Sequence, residues 1–97
     1  MNFAKGTRVA ERGTYLAHLA LSESGFLFNV KTGHTYTLNN TGTSILRMLI
    51  HGQVFQTMVD TFIRSYDVCR EQACHDIERF LRRLVQLGLI EDGVWLR

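Results

Sequence analysis

The sequence predicts an α+β fold in which three short antiparallel strands come first and three helices follow. Three observations carry this. Alternating apolar positions broken by turn residues run from Tyr15 to Leu38, and apolar stripes at helical spacing run from Ile45 to Leu87. The last stripe, Ile77-x-x-Phe80-Leu81-x-x-Leu84, meets a glycine stop at Gly88. A three-stranded sheet beside three helices has an open edge next to a helix flank, a place where extended peptides dock.

Length and composition set the bounds. With 97 residues there is room for one domain, at a size where folding buries about 60 to 65% of the unfolded surface. A content of 45% hydrophobic and 21% charged residues is that of a globular chain rather than a disordered one, and no cofactor is expected. The formal charge of +2 comes from 11 basic and 9 acidic residues that are interleaved. A generic electrostatic grip on nucleic acid or on a membrane is therefore not indicated. Cys69 and Cys74 stand five apart, which matches neither a CxxC pair nor a zinc half-site. Reduced thiols in a cytoplasmic protein are the plain reading. No run reaches the roughly 18 apolar residues needed to span a bilayer, and the N-terminus lacks the apolar segment of a secretory signal.

Residues 1–14 mix Lys5, Arg8, Glu11 and Arg12 with Gly6 and Gly13 and are expected to be an extension, with a short strand around Thr7 to Ala10. The folded domain is expected over 15–97. Leu19 and Leu21 share a parity, Ser22-Glu23-Ser24-Gly25 is a turn, and Phe26, Phe28 and Val30 alternate again, giving two strands. Gly33 can take a positive φ, and the β-branched and aromatic run His34-Thr35-Tyr36-Thr37-Leu38 makes the third. On it Tyr36 and Leu38 face the helices, and Thr35 and Thr37 face water.

Asn39 is suited to cap a helix over about 40–51, with Ile45, Leu46, Leu49 and Ile50 inward and Gly52 beyond its end. Phe55, Met58, Val59, Phe62 and Tyr66 mark a second helix over about 54–65. The third is expected over about 70–87, with Ala73, Ile77, Phe80, Leu81, Leu84 and Leu87 inward. Asp76, Arg79 and Arg83, spaced i, i+3, i+7, then form a polar border on one flank of its buried stripe. Trp95 is expected to pack, although the segment around it is too short to stand as an element.

Phe26, Phe28, Phe62 and Phe80 are expected in the core, with Phe80 also able to face a ligand. His18, His34, His51 and His75 are dispersed, and His75 beside Cys74 points about 100° away from it on a helix, so no metal site is expected. No nucleophile with a neighbouring base, and no pair of positioned carboxylates, announces an enzyme. Thr41-Gly42-Thr43 lacks the Walker lysine and is read as part of a cap.

The order of the blocks Leu19-x-Leu21-Ser22-Glu23-Ser24-Gly25-Phe26-x-Phe28-Asn29, Thr32-Gly33, Leu38-Asn39-x-Thr41-Gly42-x-x-Ile45-Leu46, Gly52, Tyr66, Asp76 with Phe80-Leu81, and Gly88-Leu89-Ile90 resembles the PqqD family. These are the small proteins of coenzyme PQQ synthesis and similar systems, also described as precursor-peptide recognition elements. The resemblance is strongest to a subset of peptide chaperones found beside a protein resembling HPr kinase. It implies a winged helix-turn-helix-like fold and a non-catalytic role. The leader of a ribosomally made precursor peptide would add as a strand to the free edge of the third strand, for presentation to a modifying enzyme, radical or kinase-like. On this chain that maps onto Thr35, Tyr36 and Thr37 for backbone pairing, with Asp76, Arg79, Phe80 and Arg83 bordering the cleft. Val54 and Cys69 depart from the pattern, because related sequences have capping residues there.

Two other classes compete. Arg79, Arg82 and Arg83 would suit a winged helix reading DNA, against which stand Asp76, Glu78 and the low net charge. A free strand edge would also suit a homodimer or scaffold subunit.

Overall fold

The computed structural model describes residues 18–96. The expected extension over 1–14, its strand near Thr7, and the start of the first strand at Tyr15 lie outside the described residues. Strands β1 (Leu19–Leu21), β2 (Phe26–Asn29) and β3 (Thr35–Thr37) form one antiparallel sheet in the order β1-β2-β3. Helices α1 (Asn40–Ile50), α2 (Phe55–Tyr66) and α3 (Arg70–Gln86) follow, and a 3-10 turn at Val94–Leu96 closes the chain. The α+β order expected from the sequence is the order observed.

Local chemistry explains both hairpins. Ser22 Oγ accepts from the Phe26 amide at 3.0 Å across the first turn. In the second, Asn29 Oδ1 accepts from the Lys31 and Thr32 amides at 2.9 and 3.3 Å, which folds the backbone toward Gly33 at φ +84°.

The register sets which residues share a face. Leu21 is opposite Leu27, which is opposite Tyr36, and this row turns toward the helices with Leu19. Ala20, Phe28 and Thr35 make a row on the outer face, as do Phe26 and Thr37. The expected parity of β2 is therefore corrected: Leu27 is the core residue, and Phe26 is 51% exposed. Only the pairing reveals this, since Phe26-Leu27-Phe28 is apolar at both parities and a slip by one exchanges the faces.

Helix α1 lies at the centre, with Ile45, Leu46, Met48, Leu49 and Ile50 all buried. Each such side chain contributes about 1.5 to 3 kcal/mol of transfer free energy. Asn39 caps it as expected, its Oδ1 accepting from the Gly42 amide at 2.7 Å. It ends in a Schellman turn: Gly52 N–H donates to Leu49 O and Gln53 N–H to Met48 O. Helix α3 ends the same way, with Gly88 N–H to Val85 O and Leu89 N–H to Leu84 O. That turn sends Leu89 and Ile90 into the core.

On α3, Ala73, Ile77, Leu81 and Leu84 are buried as expected, but Leu87 is 42% exposed. It is the C-cap residue, so the chain leaves the helix before Leu87 can complete the stripe. Trp95 does pack: it is buried, with the Arg82 guanidinium carbon 5.8 Å from its ring centroid. Tyr66 stays partly exposed, its ring 4.7 Å from that of Phe62 and its hydroxyl 3.2 Å from Ser44 Oγ.

Neither Val54 nor Cys69, the N-cap residues of α2 and α3, makes a side-chain capping bond. Val54→Ser and Cys69→Asp should each raise stability by about 1 kcal/mol, read as a rise of roughly 4–8 °C in Tm. Gly25 at φ +94° should be far less tolerant, because a Cβ there would lie 2.9 Å from Leu38 O. Gly25→Ala is expected to cost about 2 to 3 kcal/mol by urea denaturation, and Gly33→Ala, with open space around it, only about 1 kcal/mol.

Candidate functional site

Strand β3 ends the sheet, and the pairing shows which of its backbone groups are free. Asn29 N–H donates to His34 O at 2.9 Å and Leu38 N–H to Gly25 O at 2.8 Å. In an antiparallel ladder, bonded pairs alternate with unbonded ones. Tyr36, midway between these two and opposite Leu27, thus spends its N–H and C=O on β2. Thr35 and Thr37 point theirs away from the sheet, and both residues are exposed. Among the described residues nothing pairs with that edge.

The edge at β1 differs. The same alternation directs the backbones of Leu19 and Leu21 outward, but Leu19 is only 1% exposed and Leu21 is half-buried. Of the two edges, the one at β3 is the more exposed.

Helix α3 reaches the neighbourhood of β3 through Phe80. Atoms Cε1 and Cζ of its ring lie 2.8 and 3.2 Å from where a Cβ on Gly42 would stand. Gly42 sits in the first turn of α1, which starts three residues after β3 ends. A side chain at 42 would push this ring away, so the glycine sets how closely Phe80 of α3 approaches the first turn of α1. The sequence marked Gly42 only as part of a cap; its contact with Phe80 carries no local signal, because 38 positions separate the two.

Along α3 an open depression is lined by Asp76, Arg79, Phe80 and Arg83, with Glu78 and Arg82 beside them and His75 and Gln86 further along, so that its lining comes from this helix alone. The four α3 residues expected from the sequence are thus brought together on one flank. Phe80 is half-buried against the core, as are Tyr36 and Leu38 from the sheet. The expected pairing set is refined: Thr35 and Thr37 carry the free backbone groups, and Tyr36 offers its side chain.

The charges on α3 are unevenly engaged. Arg82 reaches Glu78 at 3.4 Å and Asp92 at 3.3 Å, exposed pairs worth under about 1 kcal/mol each. Asp76 Oδ1 accepts from Gln72 Nε2 at 2.9 Å. Arg79 and Arg83 form no ion pair among the described residues. One turn apart, they repel by about 0.2 to 0.5 kcal/mol.

Among the described residues no group of three or more His, Cys, Asp or Glu side chains could hold a metal, and no helix is long and apolar enough to cross a membrane. The depression offers the guanidiniums of Arg79 and Arg83, the Arg82–Glu78 pair, an aromatic ring and the Asp76 carboxylate, and the exposed edge of β3 adds two residues with outward backbone groups. Such a set can hold an extended chain and select its side chains.

Comparison with known proteins agrees with this geometry. Residues 25–90 match the family described as coenzyme PQQ synthesis protein D (PqqD). No curated protein matches the chain. A solved structure described as TbiB1 in complex with the TbiA(beta) leader peptide is 28% identical, with a TM-score of 0.68, over 76% of this chain and 87% of that one.

Hydrogen exchange tests the edge directly. In the free protein the amides of Thr35 and Thr37 should exchange faster than those of Tyr36 and Leu38 by at least about tenfold, since only the latter two donate within the sheet. Equal protection at all four positions would show the edge to be occupied.

Proposed function

This chain belongs to the PqqD family, and from that premise we propose that it is a peptide-recognition module for the leader of a ribosomally made precursor peptide. The leader adds as a strand to β3, pairing with Thr35 and Thr37, and its inward side chains enter the depression bordered by Asp76, Arg79, Phe80 and Arg83. The observation that carries this reading is the exposed edge of β3, unpaired among the described residues, with Phe80 of α3 packed on the first turn of α1 that follows it. It is supported by a structural relative solved with a leader peptide.

Magnitudes decide how the work divides. Each backbone hydrogen bond contributes about 0.5 to 1.5 kcal/mol net, while ordering each peptide residue costs about 1 to 2 kcal/mol. Pairing therefore aligns the leader and adds little affinity. An apolar leader side chain against Phe80, Tyr36 and Leu38 gains about 1.5 to 3 kcal/mol on full burial and anchors the complex.

The module binds and presents, and the chemistry belongs to a modifying enzyme that acts on the held peptide. We place the module over 15–97, with 1–14 as an extension, and its work in the cytoplasm, where precursor peptides are made. A homodimer through β3 would use the same backbone groups as the leader, so the two states exclude one another. DNA reading by α3 fits less well, because Arg82 is engaged by Glu78, Asp92 and Trp95.

Titrating isotope-labelled protein with the leader of the nearest encoded precursor should move the amides of Thr35 to Thr37 and Asp76 to Arg83. Shifts confined to other surfaces would refute strand addition. Thr37→Pro removes one outward N–H and is tolerated at an edge; it should weaken binding about two- to tenfold with the fold intact. Gly42→Ala should change stability by under about 1 kcal/mol, as gained helix propensity offsets displacement of the Phe80 ring. It should still reduce leader affinity, as measured by calorimetry.

A further inference from the structure

The cations of α3 are not equally used by the fold. Arg70 bonds Asp60 at 2.6 Å, and Arg82 reaches Glu78 and Asp92. Arg79 and Arg83 have no carboxylate within ion-pair distance among the described residues. Asp76 could have served Arg79 from three residues before it, but its Oδ1 is bonded to Gln72. Both free guanidiniums line the depression with Phe80, where the carboxylate of Glu78 is already paired with Arg82.

Resting on the reading that a leader adds to β3, we propose that this leader is acidic in a defined register. It carries Asp or Glu at two alternate positions, and their carboxylates meet Arg79 and Arg83. Four helical residues rise about 6 Å, and alternate residues of a strand are about 6.6 Å apart. A segment running along α3 thus presents same-face side chains at the spacing of the two arginines.

The pleat decides which positions these are. Leader residues opposite Thr35 and Thr37 share their outward face, and those opposite Tyr36 turn toward α3. The acids are two members of the second set, and the apolar anchor against Phe80 is another member of it. A guanidinium fork takes a carboxylate bidentately. Asp76, at the N-terminal end of the same depression, repels a third acid, so the leader residue nearest it is neutral or basic. Backbone pairing alone tolerates slippage by two residues; opposite charges at fixed points remove that freedom.

The test is a selection of displayed random linear peptides on the full chain and, separately, on the Arg79→Glu/Arg83→Glu variant, whose fold is checked by its amide spectrum. Peptides recovered on the native protein should be enriched in Asp or Glu at alternate positions, and those on the variant in Lys or Arg at the same spacing. Replacing both acids of a recovered peptide by Gln should weaken binding about tenfold at low salt, less at high salt. If recovered peptides shift the Thr35 and Thr37 amides without acidic enrichment, the acidic register is wrong and strand addition stands. If they leave those amides unmoved, or if none is recovered, strand addition itself is wrong. Double-stranded DNA that competes with the peptides and depends on Arg79 and Arg83 would assign the two arginines to phosphate instead.

Discussion

The junction between β3 and α1 is gripped from two sides by residues that lack a side chain. On the sheet side Gly25 lies so close that a Cβ would stand 2.9 Å from Leu38 O and 3.1 Å from Thr43 Oγ1. On the helix side Gly42 admits the ring of Phe80. These two close approaches bring the end of the strand, the first turn of α1 and the flank of α3 together. A methyl group at either place would force these elements apart. Close packing of this kind is stiff, so their arrangement is set before any peptide arrives.

Pre-organisation matters because the guest is a flexible chain. Ordering it costs free energy at every residue, and a groove that also had to form would add to that cost. The fold concentrates its rigidity in α1, whose apolar side chains are buried almost all round. The flank proposed to bind the leader is left at the rim, where Thr35, Thr37, Arg79 and Arg83 are exposed. The weakest local features, the uncapped starts of α2 and α3, lie away from the contact between Phe80 and Gly42. Missing caps there lower stability without reshaping the groove.

On α3 the polar and apolar contacts proposed for the leader are separated. Phe80 lies nearest the core and offers apolar surface, while Arg79 and Arg83 stand further out and offer charge. Affinity and register can then vary independently, since burial is largely indifferent to sequence order and charge placement is not. Arg82, only one residue from Arg83, lines the same depression but is held by Glu78 and joins α3 to the closing turn through Asp92 and Trp95.

Local sequence determined most of the architecture: the turn at Ser22 to Gly25, the Asn39 cap, the glycine stops at Gly52 and Gly88, and the stripes of three helices. Each depends on residues within a few positions of one another, where propensity and periodicity act. Placing Asp76, Arg79, Phe80 and Arg83 on one flank was legible for the same reason. Tertiary structure alone decided the facing of Phe26 and Leu27, since an apolar triplet has no parity until it pairs. It also decided that Thr35 and Thr37, rather than Tyr36, hold the free backbone groups, which is a property of the ladder. The contact of Gly42 with Phe80, the engagement of Arg82 and the freedom of Arg79 and Arg83 were likewise beyond reach. Such pairings depend on distances in space between groups that the chain itself keeps apart.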